Sequence, residues 1–224
     1  MNTLNLRRKI GISCTFIFIL LTISLHAQKE EWEQLFNGKD LSGWEHTGPG
    51  EFIVEDGVLR TVGGMGLLWY SREKLQNIVL RVVYTVRNND TNLGIFIRIP
   101  EEPTDPLMAV NAGYEVQIDN GFRHLHDDYH CTGVLYSFTK AAAYPQKRPG
   151  EWNVMEITLE GPRTVVNING KEVTDFTEGD EVPQEKRWFE PDRGPRPDAG
   201  YIGLQNHDDF SVVLFREISV KRLK

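Results

Sequence analysis

Cysteine is almost missing from this 224-residue chain, which has only Cys14 and Cys131. Cys14 falls in a leader: Arg7, Arg8 and Lys9 precede an apolar run from Ile10 to Leu25, and Ala27 supplies a small residue at a cleavage point. That order reads as an export signal, residues 1–27, with a mature chain from Gln28 and no membrane anchor left after cleavage. An exported chain with one remaining cysteine holds itself together without an internal disulfide, so its apolar core must suffice. Cys131 has no partner arrangement that would mark it as a nucleophile and reads as a small buried hydrophobe.

Basic charge is also short. The chain has 25 Lys and Arg against 32 Asp and Glu; loss of the leader takes three basic and no acidic residues, leaving a formal charge of −10. Such a surface repels nucleic acid and anionic membranes, and neutral substrates fit it better. Sustained helical periodicity is absent, as are the Gly-x-Ser-x-Gly elbow of serine hydrolases and the glycine loop that cradles phosphates. Those gaps set aside serine hydrolases and nucleotide enzymes, and no organic cofactor is expected.

What the chain does have is alternation and turns. Asp56-Gly57 between Phe52–Glu55 and Val58–Thr61, and Asn169-Gly170 between Val165–Ile168 and Lys171–Val173, are tight hairpin signatures. Asn77–Val86, Trp152–Glu160 and Val212–Val220 read as further long strands. The expectation is an all-β fold, a two-sheet sandwich or jelly roll, in a single domain over residues 28–224. Between Gly179 and Ala199 runs a charged loop with four prolines and the adjacent aromatics Trp188 and Phe189. Those rings either lie over a sugar face or pin the loop to the domain.

The strand Tyr114–Asp119 alternates apolar and polar residues, so Glu115, Gln117 and Asp119 share one face. In Gly94–Ile99 the three isoleucines share a face and Arg98 points the other way; in Gly203–His207 the residues Gly203, Gln205 and His207 lie together. A plain strand face in water would explain the alternation, but such faces favour Lys, Thr and Glu. Here Gln, Arg, Asp and His stand beside glycines that leave room for an approaching group. His207 is a candidate acid or base near neutral pH, or a hydrogen-bonded strand-end residue. Arg98 is a candidate substrate contact, or an ion-pair partner of Glu115. Directly after the strand, His124, His126, Asp128 and His130 are candidate ligands for a divalent cation, although polar loops also collect such residues for turns.

An ordered set of motifs then resembles one family. It comprises Leu35–Trp44 (LFNGKDLSGW), Gly94–Arg98 (GIFIR), Tyr114–Asp119 (YEVQID), Thr132–Tyr136 (TGVLY), Gly150–Asn153 (GEWN), Ile168–Gly170 (ING) and Gly200–His207 (GYIGLQNH). Together they resemble the 3-keto-disaccharide hydrolase family, also described as 3-keto-glycoside 1,2-lyases and 3-keto-2-hydroxyglucal hydratases. Two departures stand out: Leu93 where the family usually has Ser, and Glu217 where it usually has Asn. The resemblance implies a concanavalin-like sandwich and export to a periplasmic or secreted setting, of the Gram-negative Bacteroidota kind. It also implies a glycoside already oxidised to a ketone at C3 as substrate.

That ketone acidifies the hydrogen on C2, so a base can remove it and the enolate can expel the aglycone from C1; water then adds, for net hydrolysis. Glu115, Asp119 and His207 are the candidate proton-transfer groups, and Arg98 or a cation would stabilise the enolate oxygen. Gln117, Gln205, Tyr136 and Trp188 are candidate sugar contacts. Ordinary glycoside hydrolysis instead needs two carboxyl groups roughly 5–9.5 Å apart. Glu115 and Asp119, four residues apart on a strand, have backbones about 13 Å apart, which favours one-base elimination. A conventional glycosidase completed by an acid from another strand, and a noncatalytic carbohydrate-binding sandwich, remain the alternatives.

Overall fold

The computed structural model describes residues 31–119 and 128–224. In chain order these form β1 (Glu33–Gln34), β2 (Trp44–Thr47), β3 (Glu51–Glu55), β4 (Val58–Val62), β5 (Gly66–Tyr70), β6 (Ile78–Val86) and β7 (Asn92–Ile99). They continue as α1 (Pro106–Ala112), β8 (Tyr114–Asp119), β9 (Asn153–Glu160), β10 (Arg163–Ile168), β11 (Lys171–Thr177), β12 (Tyr201–Asn206) and β13 (Val213–Arg222). Both hairpins form as the sequence predicts. Asp56 and Gly57 take φ of 50° and 80°, and Asn169 and Gly170 take 52° and 78°, the paired positive angles of a tight turn whose twist matches its strands.

The strands make two antiparallel sheets. One runs β11-β10-β9-β6-β13-β4-β3, with β1 added beside β13; the other runs β2-β5-β12-β7-β8. Leu80, Val82, Met155, Ile157, Phe215 and Ile218 from the first meet Leu68, Leu93, Ile95, Val116, Ile118 and Leu204 from the second in a continuous buried core. The expected all-β, concanavalin-like sandwich is therefore the fold. Leu93 is fully buried in this core, so the departure there changes packing between the sheets and touches nothing on the polar face.

Helix α1 is passed over by the sequence reading, as are the strands β1, β2 and β5. Its start is nonetheless locally encoded: the Asp105 carboxylate caps the backbone N–H groups of Leu107 and Met108, and Pro106 occupies the first turn, where a missing N–H costs nothing. Seven residues are too few to show a period. The helix matters because it lies over the outer face of the smaller sheet, where Leu67, Trp69, Phe96, Ile99 and Ala109 form a second apolar cluster. That sheet is thus covered on both sides.

Candidate active site

The polar residues of β7, β8 and β12 meet on the outer face of the smaller sheet. Pairing sets Asn92 opposite Asp119, Gly94 opposite Gln117 and Phe96 opposite Glu115, while Gln205 of β12 lies opposite Leu67 of β5. The water-facing alternative fails on exposure: Glu115 is 8% exposed, Gln117 1%, Asp119 4% and Gln205 3%. Burying polar groups costs free energy unless they find partners, so a sheet that buries four of them on one face is arranged for something other than solubility.

A chain of hydrogen bonds crosses the floor. Gln117 Nε2 donates to Asn92 Oδ1 at 2.9 Å, Asn92 Nδ2 lies 3.3 Å from His207 Nε2, and His207 Nδ1 lies 2.8 Å from Asp208 Oδ2. With an amide N–H directed at Nε2 and a carboxylate at Nδ1, the imidazole is assigned as the Nδ1–H tautomer, whose Nε2 lone pair accepts from Asn92 at the edge of the pocket. Burial opposes ionisation of Asp208. Hydrogen bonds from His207, the backbone N–H groups of Phe210 and Ser211, and the Ser211 hydroxyl outweigh it and hold the carboxyl below its usual range.

Glu115 is the opposite case. Burial, reinforced by the neighbouring charge of Asp119, pushes its pKa up to about 8, and no hydrogen bond reaches its carboxyl among the described residues. It is therefore mostly protonated at neutral pH. Gly94 makes its position possible: a Cβ at residue 94 would sit 2.2 Å from Glu115 Cγ and 2.4 Å from Oε1. The room expected for an approaching ligand is taken by the acid itself. Close by, the buried Oε1 atoms of Gln117 and Gln205 accept no hydrogen bond among the described residues. Each unpaired buried acceptor costs on the order of 1–3 kcal/mol, which a ligand hydroxyl could relieve.

The face opens into a cavity of about 370 Å³ whose floor is Asn92, Glu115, Gln117, Gln205 and His207. Its walls come from elsewhere: Met65 before β5, Leu107 and Val110 of α1, Tyr136, and Trp188 and Phe189 of the long loop. The Thr132–Tyr136 segment runs along β8, with Gly133 N donating to Gln117 O at 2.8 Å and Tyr136 N to Glu115 O at 2.8 Å. The sequence reading misses Asn92, Asp208, Met65, Leu107 and Val110, and it names Phe189 only as a ring beside Trp188. Asn92 alone had a period signal, being two residues before Gly94 on the same face.

The 179–199 loop is fastened by arginines rather than by its aromatics. Arg193 donates to Ser137 Oγ at 2.8 Å and to Glu190 Oε2 at 3.0 Å, and Arg196 donates to the carbonyls of Gly113 and Asn111 at 2.9 and 3.2 Å. Trp188 is left 93% exposed at the mouth of the cavity, so it pins nothing.

Arg98 requires a correction. It does not share the face of Glu115 and Gln117. Residue 98 has φ of 56°, and the β7–β12 register slips between Tyr201 and Gly203, so a bulge breaks the alternation. Past it, Ile99 joins Phe96 on the outer face while Ile95 and Ile97 stay in the inter-sheet core. Arg98 is fully buried and reaches the opposite sheet, where it donates to the carbonyls of Gly161, Arg163, Pro197 and Asp198 at 2.7–3.1 Å. It also lies 3.6 Å from the Asp198 carboxylate. A Cβ at Gly200 would come 2.4 Å from Arg98 Cα, so only glycine lets the neighbouring chain pass the bulge.

Of the candidate cation ligands, His124 and His126 lie outside the described residues. Asp128 accepts from the Tyr144 hydroxyl, and His130 Nε2 donates to Glu190 Oε1 at 2.8 Å, with its ring edge-on to Tyr136. Among the described residues no group of three or more His, Cys, Asp or Glu side chains is placed to hold a metal ion.

A family model described as the 3-keto-alpha-glucoside-1,2-lyase-like domain matches residues 31–221. The chain belongs to that family. A candidate glycosyl hydrolase from Parabacteroides distasonis is 27% identical, with a TM-score of 0.69 over 86% of this chain and 100% of its own. Family and relative together indicate a carbohydrate-active enzyme. More distant likenesses show the fold alone. A galectin-like protein from Bacillus subtilis is 13% identical with a TM-score of 0.60, covering 86% of this chain and 98% of its own. The exoplasmic/lumenal domain of VIP36 is 14% identical with a TM-score of 0.58, covering 87% of this chain and 91% of its own. No curated protein matches the sequence. Within the family pattern, Glu217 in place of Asn accepts a hydrogen bond from Ser219 Oγ at 2.7 Å on β13, in the other sheet.

Proposed function

We propose that this protein cleaves 3-keto-glycosides by elimination and hydration, as an exported enzyme carrying the leader of residues 1–27. When the Asn92 amide turns from His207 Nε2 to a sugar hydroxyl, Nε2 removes the C2 hydrogen and Asp208 stabilises the imidazolium that forms. The electron pair moves into the C2–C3 bond and onto the C3 oxygen. When the enolate collapses, the C1–O bond breaks and the protonated Glu115 gives its proton to the departing aglycone oxygen. Water then adds to C1 of the unsaturated ketone and returns a proton to C2, giving the free 3-keto sugar. Gln117, Gln205 and Asn92 hold sugar hydroxyls, and Trp188 covers the open side.

The observation that carries this reading is one pocket holding an imidazole hydrogen-bonded to the Asp208 carboxylate and a carboxyl raised to about 8. A carboxyl that keeps its proton suits a general acid, and an imidazole backed by a carboxylate suits a general base. A conventional glycosidase needs a protonated and an ionised carboxyl on either side of the sugar bond, and among the described residues Glu115 is the one carboxyl lining this cavity.

The test incubates the protein with a 3-keto-glucoside and its unoxidised parent, in D2O as well as water. Release of aglycone from the keto sugar alone, with deuterium entering at C2, supports the reading. Equal release from both would establish a conventional glycosidase, and binding of both without release a carbohydrate-binding module. Glu115→Gln should keep C2 exchange and lose release, whereas His207→Asn should lose both. The reverse pattern would swap the two roles.

A further inference from the structure

The cavity is divided by chemistry as well as by origin. Every polar floor residue stands on a strand or at its end, while the walls from outside the sheet contribute Met65, Leu107, Val110, Trp188 and Phe189, with Tyr136 alone adding a hydroxyl. Three of these are large apolar side chains left in water: Leu107 is 55% exposed, Trp188 93% and Phe189 44%. Among the described residues only five large apolar side chains are exposed, so three of the five gather at one mouth. Scattered exposed apolar residues mean little, but a cluster at a pocket rim marks the ligand that covers it.

We infer that the enzyme's preferred aglycone is an apolar ring, aryl or alicyclic, rather than a second sugar. This rests on the proposed lyase reading and specifies its substrate class. The oxidised sugar takes the floor, where the unpaired Gln117 and Gln205 acceptors wait for hydroxyls. Its C1 substituent then points out between helix α1 and the Trp188-Phe189 edge.

A second sugar can stack one face on an aromatic ring, but its hydroxyl rim needs polar partners, and on the α1 side it would meet Leu107 and Val110. An apolar ring meets aromatic groups on one side and aliphatic groups on the other, and leaves no polar group unpaired. The two aromatics are held edge-to-face, with centroids 5.4 Å apart, on a loop that Arg193 and Arg196 fasten at several points. That wall is formed before the ligand arrives, so little ordering cost falls on binding.

The test compares three 3-keto-glucosides with alcohol leaving groups, so that leaving-group acidity does not dominate: methyl, 2-phenylethyl and glucosyl. The phenylethyl compound should exceed the glucosyl compound at least tenfold in kcat/KM. The ratio of phenylethyl to methyl should fall at least fivefold in Leu107→Ser and in Trp188→Ser. Both residues are exposed, so folding should survive, which circular dichroism checks. Equal or better turnover of the glucosyl compound, or a ratio unchanged in both variants, overturns the inference. If none of the three is cleaved, the lyase reading fails by itself. Calorimetric Kd values for the same compounds still decide the aglycone: tighter phenylethyl binding that Leu107→Ser weakens upholds an apolar subsite, and tighter glucosyl binding overturns it.

Discussion

Arg98 and Glu115 are both charged-type side chains buried in the same five-stranded sheet, and their surroundings could hardly differ more. Arg98 spends its guanidinium on four backbone carbonyls and the Thr164 hydroxyl, so its charge is answered from every side. The Glu115 carboxyl has no hydrogen bond among the described residues and keeps its proton instead. A saturated buried charge ties two sheets together. An unsaturated one is a reactive group held in reserve, at a cost in stability that the fold bears elsewhere.

Breaking the saturated side should give the largest loss. Arg98→Met leaves at least four carbonyls without their donor, and removing one partner of such a buried charged network costs on the order of 3–5 kcal/mol. The urea unfolding midpoint should fall accordingly, or the variant should not fold. A Tm within a degree or two of wild type would show that the node is not a strut. Glu115→Gln should act inversely: intact fold, with aglycone release from a 3-keto-glucoside down roughly 10²–10⁴-fold for loss of a general acid.

The same variant sharpens the contrast through pH. The Glu115 carboxyl is raised in the folded state from its ordinary 4.5 to about 8. The folded protein therefore holds that proton where the unfolded chain has released it. Wild type loses stability from this group as pH rises from about 4.5 to about 8, at up to ~1.4 kcal/mol per pH unit, and nothing further above that. Glu115→Gln lacks the penalty. Its Tm advantage should open above pH about 4.5 and level off above about 8. A constant difference between pH 4 and 9 would mean that Glu115 titrates normally.

Gly94→Ala gives a smaller effect on the reserve side. The added methyl meets the Glu115 side chain, which must swing away, so release should fall about tenfold or more, equivalent to ~1.4 kcal/mol. Stability should fall by only about 1–3 kcal/mol. Smallest is Asn92→Ala, which frees His207 Nε2 and Gln117 Nε2 together; a several-fold drop in kcat/KM is expected. No change would remove the amide chain from the site.

Much of this was legible in the residue order. The two hairpins follow from Asp-Gly and Asn-Gly, which tolerate positive φ, and the polar face of β8 follows from a period of two. Arg98 was misplaced by that same rule, because a bulge adds a residue to one strand without any local signal beyond the change itself. His130 and Asp128 read as loop ligands, yet they pair with Glu190 and Tyr144 across gaps of 60 and 16 residues. Trp188 was ambiguous until Arg193 and Arg196 were seen to fasten its loop.

The sequence by itself determined what short-range sterics and alternation govern: two antiparallel sheets, their tight turns, and a strand with Glu115, Gln117 and Asp119 on one side. Burial is a sum over distant segments, and only the tertiary structure decided it. Helix α1 and the 179–199 loop cover that side, and the same polar row that would face water in an open sheet becomes the floor of a pocket. There an uncompensated carboxyl keeps its proton beside a histidine held between Asn92 and Asp208.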